Sequence, residues 1–154
     1  MRSFEIRPDD PTRPEVADLI SLHLDLMHSI SPPESVHAVG ADALSRPDTD
    51  FFCLSESGRI LAIGALRRLD AGLGEIKSMH TVAGSRGTGI GAAMLEHLMA
   101  HARANGMTRL SLETGSTEVF APARRLYARH GFEDCGPFGG YREHPHSAFM
   151  TREL

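Results

Sequence analysis

Residues 85–91, SRGTGIG, constrain the fold of this chain more than any other stretch. Three glycines spaced two apart follow an arginine, and an apolar run, IGAAMLEHLMAHARANG (90–106), begins inside the motif. Ile90, Met94, Leu98 and Ala102 fall on one stripe of a helix, which Asn105-Gly106 would end. The segment just before, GEIKSMHTV (74–82), reads as a strand. The unit is therefore strand, glycine loop, helix. Successive N–H groups at a helix start form a site for an anion, and glycine keeps Cβ atoms out of its way.

The remaining elements follow from periodicity and breakers. FEIR (4–7) alternates like a short strand and ends at Pro8. Val16, Leu19, Ile20, Leu24 and Met27 give a helical spacing over 15–28, broken by SISPPES (29–35). A second short helix is expected over 36–44. FFCLSE (51–56) and RILAIGALRRL (59–69) read as a hairpin around Ser57-Gly58. RLSLET (109–114) reads as a strand. APARRLYARHG (121–131) reads as a helix with Pro122 in its first turn and Gly131 as its stop. SAFMTREL (147–154) reads as a closing strand. The order β-α-α-β-β-β-loop-α-β-α-β implies a mixed sheet with helices, not a regular βαβ repeat. At 154 residues, a single domain over 1–154 is expected.

Composition narrows the partners. The formal charge of −4 argues against nucleic acid. Lys77 is the one lysine, so arginine supplies nearly all the positive charge. Cys53 and Cys135 fit a reducing compartment and form no metal motif. No stretch reaches membrane-span length, and the N-terminus lacks the apolar core of a signal peptide. The cytoplasm is the expected location, with no membrane partner. His97 and His101 stand four apart, but HLMAH lacks the glutamate of a zinc helix, so no metal is expected.

Three phosphate loops compete for the motif. A nucleoside-triphosphate loop would need Lys and a hydroxyl where Ile90 and Gly91 stand. Gly87, Gly89 and Ala92 meet a relaxed dinucleotide spacing, with Glu113 at the next strand's end as the ribose acid. Yet four residues separate the strand from Gly87, and about 40 residues after Glu113 are too few for a dinucleotide domain and a substrate site. The third form, R-x-x-G-x-G on Arg86, Gly89 and Gly91, resembles the pyrophosphate loop of the GNAT superfamily of acyl-CoA-dependent N-acyltransferases. LYARHGF (126–132) resembles the L-Y-x-x-x-G-F ending of many members, and the element order matches over essentially the whole chain.

This resemblance implies an α/β (α+β) fold: a mixed, mostly antiparallel sheet with a splayed central strand pair, flanked by about four helices. It implies an N-acetyltransferase that uses acetyl-CoA as co-substrate and a small-molecule amine as acceptor, with a homodimer left open. The implied cofactor contacts are Met79, His80 and Thr81, then Arg86, Gly87, Thr88, Gly89, Ile90 and Gly91. Tyr127 is the implied donor to the leaving sulfur; a phenol's ordinary pKa near 10 suits that task. Phe120 stands where many members carry an asparagine. Glu75 matches the base of one branch and would share a strand face with Lys77, Met79 and Thr81. Glu113, His80 and a water chain are the other expected routes for the proton. HSISPPESVH (28–37) and GGYREHPH (139–146) would wall the acceptor pocket, supplying His28, His37, Arg142 and Glu143. Two rivals are a non-catalytic acyl-CoA-binding module and an NAD(P)-binding oxidoreductase.

Overall fold

A computed structural model of the protein describes residues 3–154. Its elements, in chain order, are β1 (Glu5–Pro8), α1 (Pro14–Ile30), α2 (Ala41–Leu44), β2 (Thr49–Glu56), β3 (Arg59–Arg68) and β4 (Leu73–Thr81). They continue with α3 (Ile90–Ala104), β5 (Arg109–Gly115), α4 (Ala121–Arg129), β6 (Glu133–Cys135) and β7 (Ser147–Glu153). One seven-stranded sheet runs β1-β2-β3-β4-β5-β7-β6. Every pairing is antiparallel except β4 with β5.

The sheet is buried on both faces, which explains why the FFCL run of β2 shows no polar alternation. Phe52 and Leu54 point to the side of α3, which buries Ile90, Met94, Leu95, Leu98 and Ala102 against them. Phe51 and Cys53 point to the other side, against Val16 and Ile20 of α1 and Leu44 of α2. Gly64 lets α3 close on β3: a Cβ there would lie 2.9 Å from Met94 Cγ.

Two departures from the sequence reading stand out. The helix expected over 36–44 is helical only at Ala41–Leu44, with a separate 3-10 turn at Pro33–Ser35. Gly40 occupies the N-cap, and Val36 adopts an extended backbone suited to its branched side chain. Strand β6 was not expected at all. Three residues, EDC, carry no readable alternation and become a strand only by pairing with β7.

Two irregularities in β4 position the site. First, its parallel pairing with β5 covers only Leu73↔Arg109, Gly74↔Leu110 and Glu75↔Ser111, after which the strands part. Second, the register against β3 steps from Ala65↔Lys77 to Ile63↔His80, so β4 carries one extra residue. Ser78, with φ 55°, is the left-handed residue in that bulge. The extra residue breaks the expected single face. Glu75 and Lys77 point to the α1 side, where Tyr141 meets them. Met79 packs on the cluster around α3, and the Thr81 hydroxyl lies 3.7 Å from where a Gly91 Cβ would be.

Candidate active site

A cleft of about 680 Å³ opens where β4 and β5 part. The glycine loop lies at one end, through Arg86, Gly87, Gly89 and Gly91. Met79, His80 and Thr81 line one wall, and Leu112, Glu113 and Tyr127 the other. Past Glu75, the edge of β4 that faced β5 has no strand partner, so its backbone groups are open to a ligand.

The loop's conformation accounts for its glycines. Gly87 and Gly89 have φ of 74° and 86°, values that side-chain-bearing residues resist. The first helical bond of α3 runs from the Ala93 N–H to the Gly89 carbonyl at 3.0 Å. The N–H groups of Ile90, Gly91 and Ala92 lie ahead of it, without intrahelical acceptors. Arg86 Nε donates to the Thr81 carbonyl at 3.2 Å, which ties the loop to the end of β4. The Thr88 hydroxyl donates to the Ser85 carbonyl. Neither Thr88 nor Ile90 lines the cleft, and the Ile90 side chain is core, so only their backbone can serve a cofactor. Arg125 and Arg129, one turn apart on α4, add two cations to the cleft. The i, i+4 spacing of arginines in ARRLYAR was the signal that could have found them.

The titratable groups divide by environment. Tyr127 is buried, its ring edge-on to Phe132 at 5.9 Å. Its hydroxyl has no hydrogen-bond partner among the described residues. Burial, with the nearby Glu113 charge, pushes it up to about 12. Burial also raises Glu113, to about 7, against the opposing pull of Lys77. His80 is buried, its Nδ1 3.1 Å from Nδ1 of His23 on α1, and burial lowers both rings, His23 to about 4. Glu75 is no solvated carboxylate: it is 2% exposed and accepts from Lys77 Nζ at 3.3 Å and from the Tyr141 hydroxyl. Phe120 fills its position with an apolar ring packed against Gly115, where a Cβ would lie 1.9 Å from Phe120 Cδ2.

A glycine loop with unpaired helix-start N–H groups, an open strand edge and a buried phenol share one cleft, a combination that suits an acyl-CoA. The model of the Acetyltransferase (GNAT) family matches residues 16–132. The chain belongs to the GNAT acetyltransferase family. It is 44% identical to an uncharacterized N-acetyltransferase, YsnE, of Bacillus subtilis over 98% of this chain and 100% of that one. It is 35% identical to an IAA acetyltransferase of Azospirillum brasilense over the full length of both. A crystal structure from Klebsiella pneumoniae, assigned as an acyl-CoA N-acyltransferase, superposes with a TM-score of 0.80 at 26% identity, covering 98% and 97% of the two chains.

This GNAT protein is thus an acyl-CoA-dependent N-acetyltransferase with acetyl-CoA as co-substrate. The mixed sheet, the parted central strands and the four α-helices match the fold that its sequence resemblance implied. A second cavity of about 620 Å³ adjoins the cleft, walled by Glu34 and His37 on one side and by 139–144 on the other. His28, in the expected acceptor region, lines neither cavity. Glu75, Lys77, His37 and Tyr141 line both and form the partition between them. Tyr141 falls within the expected acceptor wall, but its contact with Glu75 was not anticipated; no spacing links the two, 66 positions apart. The two histidines of HLMAH are engaged within the fold: His101 Nε2 pairs with Asp50 at 2.8 Å, and both rings meet Phe52 edge-on. No helix among the described residues is long and apolar enough to cross a membrane.

Proposed function

We propose that the protein transfers the acetyl group directly from acetyl-CoA to the primary amine of a small molecule or amino acid, in the cytoplasm. The observation that carries this reading is the partition: the larger cleft and the 620 Å³ cavity meet at Glu75, Lys77 and Tyr141, so two substrates can approach one another there. The diphosphate sits at Arg86 to Gly91, on the loop and first-turn N–H groups. The thioester lies along 79–81, where a backbone N–H polarises its oxygen.

The amine nitrogen attacks the thioester carbon, its proton passes to a base, and the C–S bond breaks to release the CoA thiolate. Glu113 fits the base best, since a carboxyl near 7 is poised at working pH, whereas Glu75 is engaged with Lys77 and Tyr141. Glu75 then orients the amine. Tyr127 stays protonated throughout the useful pH range. With the phenol pushed up to about 12, handing its proton to an alkyl thiolate is uphill. Its part is therefore a hydrogen bond to the developing charge on sulfur, with the proton completed from solvent.

An amine panel with acetyl-CoA and a thiol-detecting readout tests the reading. Acceptor-dependent release of CoA is expected. CoA binding without release on any amine would instead favour a non-catalytic acyl-CoA-binding module.

A further inference from the structure

Sixteen residues of this chain are lysine or arginine, and Lys77 alone is lysine. It is also withdrawn from solvent, its side chain 9% exposed in the partition between the two cavities. An ammonium has three N–H donors. One reaches Glu75 Oε2 at 3.3 Å and one reaches the Tyr141 hydroxyl at 3.0 Å. The third has no acceptor among the described residues.

Glu75 has the complementary opening. Its side chain is 3% exposed, both of its hydrogen bonds fall on Oε2, and Oε1 accepts from no described residue. The Tyr141 hydroxyl cannot fill either gap, since it already accepts from Lys77 and donates to Glu75. Unused donors and acceptors on buried charges are costly unless a ligand completes them. An open cationic donor beside an open anionic acceptor matches a ligand with the same pair reversed: an anion next to an amine.

The cavity wall extends the match. Arg67 is held by Asp48, Nε to Oδ2 at 3.3 Å, and His144 lies 3.6 Å from Glu34. Arg142 is exposed on the same wall with no partner among the described residues. Glu143 beside it adds a negative charge at the rim, which selects a zwitterion over a simple anion.

We propose that the acceptor is an amino acid, its carboxylate on the third N–H of Lys77 and on Arg142, its amino group on Glu75 Oε1. This rests on the reading above that the 620 Å³ cavity holds the acceptor. A plain amine leaves Lys77 facing unfilled space, and a polyamine sets like charge against it.

The test pairs each of several L-amino acids with its decarboxylated amine. Thiol release is measured with acetyl-CoA, and the same compounds are titrated calorimetrically into the CoA-saturated protein. Amino acids should show at least tenfold higher kcat/KM than their amines. Arg142→Ala should lower the amino-acid value about tenfold through KM and the amine values much less. Lys77→Met should erase the preference. Because Lys77→Met strips a buried carboxylate of its partner and can unfold the chain, its CoA binding is checked first, and the exposed Arg142→Ala carries the test alone if needed. Equal turnover of amines and amino acids, or equal effects of the variants on both, overturns the proposal. Amino acids that bind the CoA complex without thiol release would support the site and sink the catalytic reading; neither binding nor release overturns both.

Discussion

Two residues in the cleft, Tyr127 and Glu113, do different work in the proposed mechanism. Tyr127→Phe keeps the ring that packs on Phe132 and removes one hydroxyl. A donor to a developing thiolate is worth about 10²-fold or more, so single-turnover rates should fall by about that factor while the Michaelis constant for acetyl-CoA changes little. An unchanged single-turnover rate would leave Tyr127 as packing. With the phenol near 12, the alkaline limb of the pH profile should not move in this variant. On the proposed mechanism the acid limb reports Glu113. As a base it works ionised, so kcat/KM should climb through about pH 7, and Glu113→Gln should lose both that limb and most of the rate. Stability provides a separate check. Burial raises the folded value from the ordinary 4.5, so the folded state holds this proton more tightly than the unfolded chain. The contribution is full below about pH 4.5 and is lost as pH rises through about 7. Glu113→Gln should therefore raise the melting temperature at pH 8 relative to the parent, and more than it does at pH 5. A deficit at pH 8 would mean that the carboxylate is stabilised, not strained.

At the scale of elements, the loop and the bulge are tested separately. Gly89 has φ 86°, so Gly89→Val strains the turn and sets a branched side chain where the diphosphate should approach. The Michaelis constant for acetyl-CoA should rise at least tenfold; normal CoA binding by calorimetry would remove the diphosphate from this loop. Ser78→Val puts a β-branched residue at φ 55° in β4 and should cost about 1–3 kcal/mol in denaturant melts. No loss would mean that the bulge relocates easily. These two elements differ in how legible they were. The loop could be read because its function needs glycines at fixed spacing, and SRGTGIG displays them. The bulge could not, because Ser78 is an ordinary residue whose left-handed backbone is imposed by the register against β3. Without it, simple alternation placed Met79 and Thr81 on the face of Glu75. Strand β6 was hidden for a related reason: EDC is a strand only because β7 is there to pair with it. Long periodic elements such as α1 and α3 were readable from their own apolar stripes. The partition was not, since Glu75 and Tyr141 meet only through the fold.

For the whole molecule, the proposed site in the parted sheet would make the cofactor a structural element. Strands β1 to β4 form one leaf and β5, β7 and β6 the other, and their backbones join through three residue pairs. The core around α3 ties the leaves from one side, with Ile76 of β4 beside Leu110 and Leu112 of β5. The cleft lies in the remaining gap, lined by β4 on one wall and by β5 and α4 on the other. A ligand seated there contacts both leaves and binds only the folded chain. At a hundredfold excess over its dissociation constant it should add about 2.7 kcal/mol. For a chain of this size that corresponds to a rise in melting temperature of about 5–10 °C. CoA should produce this shift in the parent protein, and Gly89→Val should reduce or abolish it at equal concentration. Tyr127→Phe should keep it, because its hydroxyl acts on charge that appears only during reaction. NAD(P)H should produce none, since on the proposed reading the diphosphate at the loop is followed by an extended arm along β4, which a dinucleotide lacks. A shift with NAD(P)H equal to that with CoA would return the loop to the dinucleotide reading, and a CoA shift that survives Gly89→Val in full would move the cofactor out of the parted strands.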